Sequence, residues 1–345
     1  MKISIQKACE LALASPLVSF HFEGSPGVGK TYAPYEILTA AGYDVEIVNC
    51  QNMLIEDMSR LPFINADKTV SFLSAEMWKP RPKRAFILDE LFKAPEDVVN
   101  AFLPLAYGTP RTLMGNEYGQ DTIVIVTSNS AEFRVGDKFR PHMGNRICTL
   151  QIADPSVQEA VTVMLNRGVD ARIIKWVESC PQALVSYDSG ASKKAETELS
   201  NYFGYDERYP RQKFVSMRAL ENVSHIIKTV PSDLLRIAVA GMIGDKAATS
   251  LSHFLLELGE FIPLSEMVNK PDTTKIPKQI FDQRIAALTA ASGLDKKNWK
   301  ALLTYANRLN AEIRHVFIHA AARKTVSMEI AAKHKEWSDE MIALL

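Results

Sequence analysis

A glycine-rich run, GSPGVGKT at residues 24–31, stands between an apolar segment and a segment of helical pattern, an order that few folds satisfy. Residues 17–22, LVSFHF, are β-branched and aromatic enough to form a buried strand, and TYAPYEILTA after the run reads as a helix. Gly24, Gly29, Lys30 and Thr31 fill the pattern GxxxxGK[ST], with Ser25, Pro26, Gly27 and Val28 between them. Backbone N–H groups converge on a polyphosphate only where no side chains intervene, and the following helix adds the positive end of its dipole. The spacing predicts that residues 24–31 cradle phosphates. Lys30 would then reach the β- and γ-phosphates, and the Thr31 hydroxyl would bind Mg²⁺. A chance glycine turn before a helix is the alternative, which the flanks and spacing disfavour. Pro34 falls early in the expected helix, where a missing N–H costs least.

A phosphate cradle alone binds nucleotide without hydrolysing it. Residues 84–91, RAFILDEL, form an apolar strand ending in two carboxylates. Asp89 is placed to hold the Mg²⁺ shell and Glu90 to polarise a water for in-line attack; the plainer reading is a strand followed by an acidic helix cap. Residues 121–129, DTIVIVTSN, make a third strand with Thr127, Ser128 and Asn129 at its tip. Asn129 there would orient the attacking water, or serve as a turn-forming amide. Apolar bodies with polar tips at the carboxyl end suit an open parallel α/β sheet, whose ligands bind along that edge. The segment DVEIV, 44–48, is expected in the same sheet.

The rest of the composition excludes several classes. At 345 residues, 47% hydrophobic and 23% charged, the chain is an ordinary globular one with room for two or three domains. Forty basic residues balance forty acidic ones, so no global field draws it to nucleic acid or membrane. The N-terminus lacks a signal-peptide core, and no stretch approaches a membrane span. Cys9, Cys50, Cys148 and Cys180 are far apart with no CxxC pair, which suits reduced cytosolic thiols.

In order, the P-loop, the DE-ended strand, the Asn-ended strand and a following arginine resemble the AAA+ ATPases, and within them the MoxR-like branch with its dynein-related and McrB-like modules. The likeness spans about residues 1–265 and rests on GSPGVGKT, FILDEL (86–91), IVIVTSN (123–129), GNRICTLQI (144–152) and FVSMRALENVS (214–224). It implies ATP and Mg²⁺ as cofactors, with sensor 1 at Asn129. It also implies an arginine finger at Arg146, serving the nucleotide of a neighbouring subunit, and a sensor 2 arginine at Arg218. Met217 stands where the family has proline. Arg134 and Arg140 compete with Arg146; Arg146 is favoured because an apolar strand candidate follows it directly and would place it rigidly. Residues 55–62, IEDMSRLP, are similar to the family's segment ahead of a hairpin, although Arg60 replaces its glycine. Residues 108–121, GTPRTLMGNEYGQD, resemble a second hairpin. Its Leu113, Met114 and Tyr118 either face a substrate or pack beneath the hairpin.

The expected fold class is α/β: a P-loop AAA+ core with a parallel sheet flanked by helices, then an all-α lid and a helical C-terminal extension. The expected domains are a core at 1–155, a helical segment with a long connection at 156–213, a lid at 214–270 and the extension at 271–345. PSVQEAVTVMLNRG and DARIIKWVESC read as helices, as do SMRALENVSHIIKTV and two segments that meet near Gly244. Residues 295–322 carry a stripe of Trp299, Leu302, Leu303, Ala306, Leu309 and Ile313, which predicts one long amphipathic helix with Asp295 as N-cap. His315 and His319 share a face without the glutamate of a zinc hydrolase helix and read as packed or solvated. The charges around 323–340 read as a solvated face.

The function expected is a Mg²⁺-ATP-driven motor that forms a homo-oligomeric ring, a hexamer by the resemblance, and remodels a partner protein in the cytoplasm of a bacterial or phage-infected cell. Relatives in the branch often work with a von Willebrand A domain partner. A nucleic-acid loader or translocase is the second reading, carried by the basic segment WKPRPKR at 78–84, which otherwise is a solvated loop. A nucleotide-gated assembly scaffold is the third.

Overall fold

The computed structural model describes residues 2–58, 61–129, 145–186, 203–204 and 212–343. The chain divides into two compact units, Met1–Asp154 and Pro155–Leu345.

The first unit opens with β1 (Lys2–Ile3) and α1 (Ile5–Ala14), whose N-cap Ser4 accepts from the Lys7 N–H. The P-loop strand β2 (Phe20–Gly24) begins three residues later than the apolar run suggests, since Leu17 and Val18 are exposed ahead of it. After the loop come α2 (Tyr32–Ala40) and β3 (Asp44–Asn49). A hairpin of β4 (Leu61–Ile64) and β5 (Val70–Leu73) follows, then β6 (Arg84–Asp89) and α3 (Glu96–Tyr107). A short hairpin of β7 (Thr112–Leu113) and β8 (Asn116–Glu117) leads to β9 (Ile123–Asn129), and β10 (Cys148–Ile152) closes the unit.

Among the described residues six strands form one sheet in the order β1-β10-β2-β9-β6-β3, every neighbouring pair parallel. The α/β class and the place of 44–49 in the sheet are as the sequence predicts. Near-continuous burial along β6 and β9 explains their unbroken apolar runs, because helices cover both faces of a parallel sheet. One core cluster gathers Phe86, Leu88, Val124 and Val126 with α3; the other gathers Phe20, Phe22, Ile123 and Ile125 with α1 and α2. Successive residues along a strand point to opposite faces, which sorts the two sets.

Three expectations within this unit resolve locally. Leu113 and Tyr118 are buried and Met114 packs against the same cluster, so these apolar residues lie beneath the β7–β8 hairpin. The exposed apolar surface is instead on β4–β5, where Leu61, Phe63, Ile64, Val70, Phe72 and Leu73 all face solvent. The segment 78–84 is not a free basic connector. Trp78 and Arg84 are buried, Arg84 donates to Asp44, Glu46 and the Met77 carbonyl, and Arg81 pairs with Asp44 and Glu76. Lys79 pairs with Glu76. Lys79, Arg81 and Arg84 are answered by acids of the same unit and Lys83 lies 5.9 Å from the Tyr43 ring centroid, so most of the charge behind the nucleic-acid reading is already paired.

The second unit is helical among the described residues: α4 (Val157–Asn166), α5 (Ala171–Ser179), α6 (Met217–Thr229), α7 (Ser232–Ile243), α8 (Asp245–Leu256), α9 (Leu264–Asn269) and α10 (Ile280–Ser292). Then come α11 (Trp299–Asn307), α12 (Ala311–Ala322), α13 (Thr325–Lys333) and α14 (Lys335–Ala343). One cluster of buried side chains runs from Ala160 to Trp337. The break between α7 and α8 falls at Gly244, as expected.

The predicted long helix at 295–322 is two. Asn310 caps α12 by accepting from the Ile313 N–H, and a side-chain cap ends continuity by giving the backbone another partner. Asp295 caps no helix; its Oδ1 accepts from the N–H groups of Lys297 and Asn298 in a turn. Lys324 is not on a solvated face: it is buried and donates to the Ser292 carbonyl. No helix of the described residues is long and apolar enough to cross a membrane.

Candidate nucleotide site

The strand register assembles the site. Gly24 lies beside Asn129 in the β2–β9 pair, and Leu88 lies beside Val126 in the β6–β9 pair, so Asp89 and Thr127 come next along the same edge. Gly24, Asp89 and Asn129 therefore meet at the carboxyl edge of one sheet, which is where an open α/β sheet binds ligands.

The loop between β2 and α2 holds glycines where a side chain does not fit. Gly29 sits at φ +94°, which a side chain rarely adopts. A Cβ at Gly24 would lie 2.9 Å from the Ile152 carbonyl oxygen, so the close passage of β2 against β10 admits only glycine. Thr31 is the N-cap of α2 and makes no side-chain cap bond.

Its hydroxyl is committed elsewhere. Thr31 Oγ1 donates to Asp89 Oδ1 at 2.6 Å, and Thr127 Oγ1 donates to the same oxygen at 2.6 Å. Thr127 Oγ1 also accepts from the Glu90 N–H at 3.2 Å. Thr127 thus links the two carboxylate positions, a role the sequence reading does not assign. The signal was the parallel register, which no single sequence displays.

Lys30 is buried, and its ammonium donates to the Gly24 carbonyl at 2.9 Å, the Ser25 carbonyl at 2.8 Å and Asn129 Oδ1 at 3.3 Å. Burial lowers its pKa to about 8, against the opposing fields of Glu90 and Asp89. Three acceptors match three N–H donors, and triphosphate oxygens would compete for them. Glu90 follows β6 in the left-handed region at φ +53°. Lys93 Nζ lies 2.9 Å from Glu90 Oε2, a close ion pair without the angle of a hydrogen bond. Lys93 is the second site residue that sequence reading does not assign; its spacing of three from Glu90 across the turn was the available sign.

Arg146 lies at the other edge. It precedes β10, whose first residue Cys148 registers with Phe20, the first residue of β2. Four residue steps along β2 separate that edge from Gly24, about 13 Å. Arg146 is exposed, with its guanidinium 4.8 Å from the Tyr107 ring centroid. Arg218 is exposed in the first turn of α6, within the second unit, while neighbouring Met217 is buried in that unit's core. Arg134 and Arg140 lie outside the described residues.

The donor set suits a hard cation shared with phosphate. Thr31 Oγ1 and Asp89 Oδ1 converge as oxygen ligands, and Mg²⁺ takes few protein oxygens alongside substrate phosphates and water. Among the described residues no group of three or more His, Cys, Asp or Glu forms a protein metal cage.

No protein-family profile and no curated protein matches the chain. Solved structures do. A candidate ATPase of Cytophaga hutchinsonii is similar at 14% identity over 74% of this chain and 89% of its own, with a TM-score of 0.34. The RuvB Holliday junction branch migration motor of Thermotoga maritima is similar at 14% identity over 72% of this chain and 68% of its own, TM-score 0.38. The Hsp104–ADP complex of S. cerevisiae is similar at 19% identity over 69% of this chain and 36% of that protein, TM-score 0.36. These neighbours are AAA+ ATPases, the family that the ordered motifs resemble, and the likeness is remote. The grounds for the P-loop α/β fold are the chain's own: a parallel sheet whose carboxyl edge brings Gly24, Lys30, Asp89 and Asn129 together.

Proposed function

We propose that this chain is an AAA+ ATPase of the MoxR-like kind, which hydrolyses Mg²⁺-ATP and works as a homo-oligomeric ring, a hexamer by family resemblance, that remodels a partner protein. The observation that carries the reading is the convergence of Lys30, Thr31, Asp89, Glu90 and Asn129 on one sheet edge with Arg146 on the opposite one.

Each residue then has one task. The loop N–H groups and Lys30 bind the phosphates, Lys30 exchanging carbonyl acceptors for phosphate oxygens. Thr31 and Asp89 would hold Mg²⁺, which supplies charge neutralisation to the phosphate oxygens when bound. Glu90 orients the attacking water and takes its proton, and Asn129 fixes that water's approach. Arg146 is too far along the sheet to serve its own loop, so a neighbour's nucleotide is the one it stabilises, an effect worth up to about 10³-fold or more in rate. Arg218 belongs to the same scheme as the lid arginine. The exposed apolar β4–β5 hairpin offers a surface for a protein partner, since apolar patches on soluble proteins mark interaction sites.

The test is specific ATPase activity against protein concentration. A shared site requires activity to rise from nanomolar to micromolar as subunits assemble; a flat profile overturns the trans arginine. Glu90→Gln should bind ATP without turnover, and Lys30→Ala should lose both.

A further inference from the structure

The second unit holds a cleft of about 450 Å³ bounded by α4, α5, α10 and α12. Its chemistry is uneven. Lys175 enters from α5, Arg284 from α10, and His315, His319 and Arg323 from α12 and its C-cap. The last three are spaced by four, which sets them in one stripe, and the two imidazole centroids are 6.4 Å apart. The floor between them is apolar, with Leu288 and Val316.

Only part of this positive charge is answered. Glu178 pairs with Lys175 at 2.9 Å and Glu312 with Arg284 at 2.7 Å. Among the described residues no carboxylate pairs with Arg323, and the Arg284 Nε–H is buried with no acceptor. The negative end of the α12 dipole accounts for His319 and Arg323 close to its C-terminus. Lys175 and Arg284, which two other helices bring to the same space, keep N–H donors beyond those their carboxylates take, since an ammonium has three and a guanidinium five.

Donors arriving from three helices match the tetrahedral oxygens of a phosphoryl group better than a carboxylate, whose lone pairs lie in one plane. The volume exceeds what a bare phosphate fills and falls in the range of small-molecule sites, which combine an apolar lining with a few convergent polar groups. We propose that this cleft binds a small phosphomonoester, its phosphoryl group held by Arg323, Lys175 and Arg284 with N–H donation from His315 and His319, and its organic part laid on Leu288 and Val316. The site is separate from the phosphate loop and does not depend on the reading of that loop.

Calorimetric titration of the full chain with phenyl phosphate tests this, with benzoate and inorganic phosphate as controls. Arg323 and His319 are exposed, so Arg323→Ala and His319→Ala should fold, which an unchanged melting temperature verifies. Binding should persist in Lys30→Ala, which disables the loop. It should weaken about tenfold in Arg323→Ala, the scale of one lost charge-assisted contact, and further when both substitutions are combined. Benzoate and inorganic phosphate should each bind at least about tenfold more weakly than phenyl phosphate. Undetectable binding at millimolar phenyl phosphate, equal affinity in Arg323→Ala, or loss of binding in Lys30→Ala would each overturn the site. Benzoate matching phenyl phosphate would overturn its preference for phosphate, and inorganic phosphate matching it would remove the organic part.

Discussion

Thr31 Oγ1 donates to Asp89 Oδ1 at 2.6 Å, joining two residues 58 apart in sequence. The bond ties the first turn of the loop helix to the end of β6, and it positions the two oxygens proposed to share Mg²⁺.

Thr31→Val keeps the shape of that side chain and removes its oxygen. Turnover should fall on the order of 10²-fold, with a rise in the Mg²⁺ concentration needed for half-maximal rate. Stability should fall by only about 1 kcal/mol, so a large loss of melting temperature would assign Thr31 to folding rather than catalysis.

Lys30 carries a pH signature. Its pKa of about 8 means that the empty site loses the ammonium above that pH, whereas bound phosphates favour the charged form. ATP affinity should therefore be flat below about pH 8 and fall up to about tenfold per unit above it, with proton uptake on binding. Titrations in buffers of different ionisation enthalpy measure that uptake. The sign for stability is opposite: the unfolded chain binds this proton more tightly, so stability from this group rises with pH between about 8 and 10.5, its ordinary value.

Lys93 neutralises Glu90 across one turn, with both side chains partly exposed. Lys93→Met should free the carboxylate to accept a proton and raise kcat about two- to fivefold, the range for an ion pair worth up to about 1 kcal/mol. A fall in kcat at saturating ATP would place Lys93 on the phosphates instead.

Tyr107 lies under the Arg146 guanidinium at 4.8 Å. Tyr107→Phe keeps the ring face and should leave turnover unchanged, while Tyr107→Ala should lower kcat about two- to fivefold by releasing the arginine. Arg146→Ala should lower it about 10³-fold, and mixing that variant with Glu90→Gln should restore activity at the mixed interfaces. Absence of any restoration at high concentration would argue against a shared site.

Arg84 is buried against Asp44, Glu46 and the Met77 carbonyl. Partial burial works against ionisation of Asp44, but hydrogen bonds from Arg81 and Arg84 outweigh it and hold the carboxyl below the usual range. Its contribution is present above the ordinary carboxylate pKa and is lost as pH falls through the lowered one. Arg84→Ala should cost about 3 kcal/mol or more in urea unfolding at pH 7, because it strands a buried set of partners, and should flatten the acid limb of the stability curve.

Residue order alone determined the phosphate loop, the three polar-tipped strands and the parallel sheet, because those features depend on local spacing: glycines where backbone must approach a ligand, and apolar runs where both sheet faces are covered. Gly24, Lys30, Thr31, Asp89 and Asn129 were legible for that reason. What only the tertiary structure decided depends on pairing between distant segments. Thr127 joins the site through the β6–β9 register, and Lys93 through the turn that returns it to Glu90. Arg84 looks like part of a basic loop until β3 brings Asp44 and Glu46 against it, and the helical stripe at 295–322 looks continuous until Asn310 caps a new helix inside it. Apolar periodicity reports which side chains seek a core. It does not report which other segment supplies that core, nor which acid lies within 3 Å of a given base, since those are set by long-range contacts that leave no local period in the sequence.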